Sequence, residues 1–103
     1  MELSAQLTAP NGVKWSQPTG LFIDNEFVPS QNGGVLATID PATEKEIATV
    51  QCASANDVDR AVLVAHKALK APSWKRLPAT ERGILMTKLA EAMEQNRELL
   101  ATV

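Results

Sequence analysis

The sequence predicts an α+β fold, with two β-hairpins in the first half of the chain followed by two or three α-helices. β-branched and aromatic residues cluster between positions 21 and 52, whereas apolar residues beyond position 54 recur at helical three- and four-residue spacing. Strands and helices are thus segregated along the chain, which is typical of the α+β class. With 103 residues, the chain has room for one small domain with a thin core.

Residues 1–19 are predicted to form a flexible N-terminal arm, and residues 20–103 the folded domain. The first nineteen residues mix small polar residues, Pro and Gly with isolated apolar residues and show no sustained period. Such a segment is expected to be mobile unless a partner holds it.

The stretch LFIDNEFV, residues 21–28, is predicted to be a hairpin that turns at Asp24-Asn25. Both turn residues tolerate positive φ, which a two-residue hairpin turn requires. This turn places Phe22 opposite Phe27, so that one face carries an aromatic pair. The same register pairs Leu21 with Val28 and Ile23 with Glu26.

A second hairpin is predicted from residues 35–39 and 47–52, which are rich in β-branched residues. The intervening turn contains Pro41, whose ring fixes φ and favours an extended conformation at Asp40. Gly33-Gly34 precedes a strand, not a helix, and is interpreted as a turn rather than a phosphate-binding loop.

Two helices follow, and a third is expected after a bend near Asn96. Ser54 and Asp57 have the spacing of a capping box, with Asp in place of the usual Glu, and the first helix is expected to end before Pro72. A loop containing Trp74 comes next, and Pro78 suits the first turn of the second helix. The second helix carries a wide apolar stripe: Leu85, Met86, Leu89, Ala90, Ala92 and Met93.

Charge and composition argue against several classes of partner and site. A net charge of −2 gives no clustered positive surface for nucleic acid or for a membrane. A single cysteine, Cys52, excludes an internal disulfide, and with one histidine, His66, it cannot build a zinc site. No metal or cofactor site is predicted, and the cytoplasm is the expected compartment.

Few residues have the setting of a catalytic group. Cys52 is interpreted as a small, partly buried apolar residue, because no base or helix dipole is placed to lower the pKa of its thiol. His66 and Arg82 are weak candidates for a non-redox role, although a boundary position and structural pairing, respectively, account for them more simply. Arg82 lies on the apolar side of the second helix, so its guanidinium needs carboxylate or carbonyl partners. Paired carboxylates are assigned to solvent faces: Asp57 with Asp59, and Glu91 with Glu94.

Taken together, several motifs resemble the start of the NAD(P)-dependent aldehyde dehydrogenases. They are LFIDNEFV (21–28), TIDPAT (38–43), ASANDVDRAV (53–62), Trp74 and Glu81-Arg82, in the family's order and with fitting spacings. The resemblance runs from the arm to Val103 and looks nearest to cytosolic fungal members. One departure is Glu44, where the family usually has Gly, so this turn is expected to be strained or to adopt another geometry.

The resemblance implies, for a complete member, oxidation of an aldehyde by a cysteine nucleophile with hydride transfer to NAD(P) and a glutamate-activated water. That nucleophile, the glutamate base, the oxyanion asparagine and the nucleotide-binding strands lie beyond the region that this chain resembles, and Cys52 does not correspond to the nucleophile. The family's monovalent cation, bound by backbone oxygens near Thr38 and Ile39, also draws on an acidic residue just past Val103. Without that carboxylate, no metal site is predicted here.

Three hypotheses follow. The chain is expected to be a truncated aldehyde dehydrogenase without dehydrogenase activity on its own, because the groups that bond to the transition state are missing. An alternative is a stand-alone homo-oligomer with a non-redox activity or a binding role toward a small hydrophobic molecule, driven by apolar surfaces left uncovered. A second alternative is an interaction module that pairs with a full-length relative.

Overall fold

The computed structural model describes residues 3–103, in which three antiparallel hairpins are followed by four helices. The strands are β1 (Ser4–Thr8), β2 (Lys14–Pro18), β3 (Leu21–Ile23), β4 (Glu26–Val28), β5 (Val35–Ile39) and β6 (Glu46–Gln51). The helices are α1 (Ala55–Lys70), α2 (Pro72–Lys75), α3 (Ala79–Gln95) and α4 (Arg97–Thr102). The predicted α+β class is confirmed, and none of these helices is long and apolar enough to cross a lipid bilayer.

The hairpin β3–β4 has the predicted turn and register. Asp24 and Asn25 adopt φ values of 56° and 63°, which is the left-handed region that a two-residue hairpin turn uses. Phe22 pairs with Phe27, and their ring centroids lie 4.9 Å apart in a tilted arrangement. The turn and the register are therefore those that the local sequence predicts.

The sequence pattern did not predict the hairpin β1–β2, which lies inside the segment interpreted as a flexible arm. Leu7 pairs with Trp15, and the pairing runs from Ser4 with Pro18 to Thr8 with Lys14. Its turn is closed by Gly12 at a φ of 88° and by a hydrogen bond from the Val13 amide to Asn11 Oδ1 at 3.1 Å. The strands are hard to predict because each has five residues and β2 does not alternate, although polar and apolar residues do alternate in β1. The division of the chain at residue 19 stays a prediction.

The third hairpin, β5–β6, agrees with the prediction, and a hydrogen bond closes its turn. Glu44 has a φ of 60°, a conformation that favours glycine, and its amide donates to the Asp40 carbonyl at 2.7 Å. A register shift lies between Thr38 and Ile39. Glu44 therefore adopts the left-handed conformation in which strain is expected, and the turn around it is closed by a hydrogen bond.

The helices begin and end for identifiable reasons. Ser54 and Asp57 form the predicted capping box at the start of α1. Pro78 is the N-cap of α3 rather than a residue of its first turn, and Asn96 separates α3 from α4 as predicted. The segment around Trp74 is a single helical turn, α2, and not the predicted loop, because Pro72 occupies its first position.

The core is thin. Among the residues that the structure describes, Ile23 is the one buried apolar residue, at 7% exposure, and the buried polar residues are Thr19, Ser30 and Asp57. The accessible surface is 8221 Å², against about 5,700 Å² for a folded monomer of this mass. The radius of gyration is 17.3 Å, against about 13 Å for a compact chain of this length. Both values indicate elements that lie beside one another with little shared interior.

Candidate functional site

A hydrogen-bonded polar cluster surrounds Asp57 at the start of α1. Its Oδ2 accepts the Ser54 amide at 2.8 Å and the Ser54 hydroxyl at 2.7 Å. The same carboxylate accepts the Gln31 amide at 3.2 Å and the Ser30 hydroxyl at 3.3 Å. Asp57 therefore joins the loop after β4 to the first turn of α1.

This placement corrects the prediction that Asp57 lies on a solvent face. Asp57 is only 5% exposed, whereas Asp59 is exposed as expected. The capping geometry turns the Asp57 side chain back toward Ser54, and the loop then covers it. Hydrogen bonds from the Ser54 amide and then the Ser54 hydroxyl lower the pKa of Asp57, so the carboxylate stays ionised at neutral pH. A carboxylate bonded in this way stabilises the local structure.

Arg82 is held by Trp74. The guanidinium carbon lies 4.7 Å from the centre of the indole ring, and Nη2 donates to the Trp74 carbonyl at 3.2 Å. The predicted carbonyl partner is thus present, and a cation–π contact accompanies it. Arg82 links α3 to α2, and its suggested non-redox role stays a prediction.

His66 and Cys52 lie on the surface and are not brought together. His66 is exposed on α1, and Cys52 is exposed just after β6, where its amide donates to the Gly34 carbonyl at 2.9 Å. The partial burial expected for Cys52 is wrong, because the loop at Gly34 contacts its backbone and leaves its thiol open. Within residues 3–103, no three His, Cys, Asp or Glu side chains are grouped so that they could hold a metal ion.

An open groove of about 720 Å³ lies between the hairpins β1–β2 and β5–β6. Trp15 and Leu7 line one wall, Ile47 and Val50 the other, and Val103 closes one end. Thr19 joins the two walls, because its carbonyl accepts the Gln51 amide at 2.9 Å. Next to Val103, the side-chain amide of Asn11 (Nδ2) donates to the Thr102 hydroxyl at 3.3 Å. The groove is mostly apolar and large enough for a small organic molecule.

An exposed apolar surface lies on α3, here called the α3 face and defined by Leu85, Met86, Leu89 and Met93. These side chains are 46%, 73%, 63% and 54% exposed, respectively. They follow helical spacing and so project to one side. Whereas α1 lies against β3 and α2, α3 packs chiefly against the short α4 at its end. These side chains carry no group that could act as an acid, a base or a nucleophile.

Comparison with known proteins gives a consistent match. A sequence profile described as "Aldehyde dehydrogenase family" matches residues 27–103. An aldehyde dehydrogenase of Aspergillus niger is 46% identical over 102 residues, which is 99% of this chain and 20% of the relative. Cytosolic aldehyde dehydrogenase 1 of Rattus norvegicus is 46% identical over 88 residues, covering 84% of this chain and 18% of the relative. Mitochondrial 10-formyltetrahydrofolate dehydrogenase of Mus musculus is 42% identical over 93 residues, covering 90% and 10%, respectively.

The chain therefore spans about a fifth of the length of the aldehyde dehydrogenases it matches in Aspergillus niger and Rattus norvegicus. The shared region includes β4 to α4 and extends toward the N-terminus in the Aspergillus niger protein. All three hairpins and all four helices described above thus lie in a segment that the longer Aspergillus niger protein also has.

Proposed function

This chain belongs to the aldehyde dehydrogenase family, and on that premise we propose that it forms the outer part of a coenzyme domain, without dehydrogenase activity as a 103-residue chain. Aldehyde oxidation through a thioester needs an activated thiol with a base within hydrogen-bond reach. Within residues 3–103, the Cys52 thiol is exposed on a strand end and has no hydrogen-bonded base. The observation that carries the proposal is that the matched region amounts to 20% of the Aspergillus niger relative.

The contacts of Asp57 and Arg82 support a structural role for this segment. The network around Asp57 and the capped start of α1 consist of hydrogen bonds that stabilise a scaffold. Arg82 is likewise occupied by Trp74. The chemistry of a complete enzyme would then come from groups outside this segment.

A direct assay of NADH formation tests the proposal. The purified chain is mixed with NAD and an aliphatic aldehyde, and the absorbance of NADH is followed, with the full-length Aspergillus niger relative as the positive control. We expect no NADH above the protein-free rate. Turnover that persists in a Cys52→Ser variant would point to a contaminant, whereas turnover abolished by that variant would overturn the proposal.

A stand-alone role in binding a small hydrophobic molecule is the second candidate, and the groove between the first and third hairpins favours it. Trp15 lines this groove, whereas His66 and Arg82 do not, so Trp15 fluorescence is the natural probe. In a Trp74→Phe variant, Trp15 is the remaining indole. A saturable decrease of its fluorescence on addition of a small apolar quencher would support the role. An unchanged spectrum would count against it.

A third candidate, an interaction module for a full-length relative, draws on the same exposed apolar surfaces. We further propose that the protein resides in the cytoplasm, in keeping with an exposed, unpaired Cys52. Fractionation of cells that express a tagged chain tests this location, and recovery in the mitochondrial fraction would contradict it.

A further inference from the structure

The loop after β4 contains one of the two Asn-Gly pairs in the chain, Asn32-Gly33. The other pair, Asn11-Gly12, lies in the turn between β1 and β2. Asparagine followed by glycine is chemically labile, because glycine has no side chain to shield its backbone nitrogen from the neighbouring carboxamide carbon. Both glycines adopt left-handed conformations, with φ values of 71° at Gly33 and 88° at Gly12. The two turns thus share the reactive pair and differ in what surrounds it.

Two donors polarise the side-chain carbonyl of Asn32. Its Oδ1 accepts the Ser30 hydroxyl at 2.7 Å and the Gly34 amide at 3.0 Å. Within residues 3–103, Oδ1 of Asn11 accepts one hydrogen bond, from the Val13 amide at 3.1 Å. Donors aimed at a carbonyl oxygen stabilise the negative charge that develops on it when the carbon is attacked. The carboxamide of Asn32 is therefore the better electrophile of the two.

The nucleophile is placed similarly at the two sites. The Gly33 amide donates to the Ser30 carbonyl at 3.1 Å. The Gly12 amide donates to the Ala9 carbonyl at 2.9 Å. Each attacking nitrogen thus has one hydrogen bond to break, and the bond at Gly33 is the longer one. The nucleophile gives Asn11 no advantage that would offset the polarised carbonyl of Asn32.

We propose that Asn32-Gly33 deamidates spontaneously and that the product weakens the contact between this loop and α1. The Gly33 nitrogen forms a bond to Asn32 Cγ and loses its proton, while the bond from Cγ to the carboxamide nitrogen breaks and ammonia leaves. Water then opens the resulting succinimide at either carbonyl, which leaves aspartate or isoaspartate at position 32. The cyclisation is intramolecular and nothing is oxidised or reduced, so water is the one co-reactant.

The product carries a negative charge beside the buried carboxylate of Asp57. The Ser30 hydroxyl, which bonds to the Asn32 carbonyl, also lies 3.3 Å from Asp57 Oδ2. Ser30 and Asp57 are each buried, so water screens this pair of acceptors poorly. Two carboxylates on either side of one hydroxyl repel each other, and isoaspartate also lengthens the backbone of the turn. Deamidation therefore loosens the bonds from Ser30 and Gln31 to Asp57, which join the loop to α1.

Peptide mapping by mass spectrometry tests the chemistry, independently of any dehydrogenase activity. The folded chain is incubated at neutral pH, and the conversion of amide to acid is followed at both Asn-Gly pairs. Asn32 is expected to convert at least about threefold faster than Asn11, because of its additional donor. In guanidinium, where both turns are lost, the two rates should become similar. A folded chain in which Asn32 converts no faster than Asn11 would overturn the proposal.

Hydrogen exchange tests the release of the loop. In Asn32→Asp, the Gln31 amide should exchange at least about fivefold faster than in the wild type, because the repelled carboxylate of Asp57 no longer holds it. Asn11→Asp adds the same charge in the other turn and should leave this amide unchanged. In an Asp57→Asn background, Asn32→Asp should change the exchange rate less than about twofold, because the charge that it repels is gone.

Circular dichroism checks that the variants keep their helices. A Gln31 amide that exchanges at the wild-type rate in Asn32→Asp would overturn the release of the loop. An equally large effect of Asn32→Asp in the Asp57→Asn background would do the same, since it would show that repulsion from Asp57 is not the cause.

Discussion

The start of α1 and the face of α3 are organised in opposite ways. Around Asp57, four hydrogen bonds from Ser30, Gln31 and Ser54 close a cluster in which the carboxylate is nearly buried. On α3, the apolar side chains between Leu85 and Met93 remain about half exposed or more. The first region satisfies its own polar groups, whereas the second leaves its hydrophobic surface in water. The start of α1 is thus ordered by polar contacts within its first turn and with the loop at Ser30 and Gln31, whereas the apolar side chains of α3 remain exposed.

The largest expected effect concerns the small interior beneath α1. Replacing Ile23 by Ala should lower the free energy of unfolding by about 2 kcal/mol, because it removes a buried side chain and leaves a cavity. The matched change Ile84→Ala, at a position on α3 that is 52% exposed, should cost under about 0.5 kcal/mol. Urea titration followed by circular dichroism measures both. Equal losses would show that α3 is buried in solution.

The next largest effect concerns the charge of Asp57. Asp57→Asn should destabilise the chain at pH 7, since the carboxylate accepts hydrogen bonds from the first turn of α1, whereas Asp59→Asn at an exposed position should have little effect. The folded pKa of Asp57 is lowered, so its stabilising contribution is fully present above the unfolded value near 3.9 and disappears as the pH falls through the lower folded pKa. The difference between wild type and Asp57→Asn should therefore shrink in acid. A difference that grows as the pH falls would contradict this sign.

A smaller effect is expected at the contact between α2 and α3. Arg82→Lys removes the planar guanidinium over Trp74 and should cost about 0.5 kcal/mol, because an exposed cation–π contact contributes that much. Trp74 fluorescence should change with it, and Trp15 in a Trp74→Phe background provides the control. An unchanged Trp74 spectrum would show that the contact is not maintained in solution.

The smallest expected effect is a gain in stability. Glu44→Gly should raise the free energy of unfolding by about 0.5 kcal/mol, since glycine relieves the left-handed conformation at 60° but adds freedom to the unfolded chain. Thermal unfolding of the variant and wild type measures the change. Glu46→Gly, within β6, serves as the opposite control and should destabilise the sheet.

Local signals explain what the sequence predicted well. The turn at Asp24-Asn25, the register of Phe22 with Phe27 and the capping box at Ser54 each depend on residues a few positions apart. The break at Asn96 is of the same kind. In all these cases the conformational preference of a residue and its nearest neighbours decides the structure.

The burial of Asp57 and the exposure of Cys52 depend on contacts that the local pattern does not contain. The loop at Ser30 and Gln31 covers Asp57 from 26 residues away or more, and no periodicity announces that approach. Likewise, the hairpin β1–β2 has one pair of large apolar residues, Leu7 with Trp15, among pairs that contain polar residues, so its signal in the sequence is weak. The family resemblance identified the lineage because it compares whole motifs, and the roles of His66 and Arg82 stay predictions.

The three small sheets have a consequence for handling this protein. Each consists of two strands, so every one of the six described strands has a hydrogen-bonded neighbour along one edge only. The other edge presents backbone amides and carbonyls that can template addition of a further strand. We expect slow fibril growth at high protein concentration, beginning at β5–β6, whose length of five and six residues exceeds that of the β3–β4 pair.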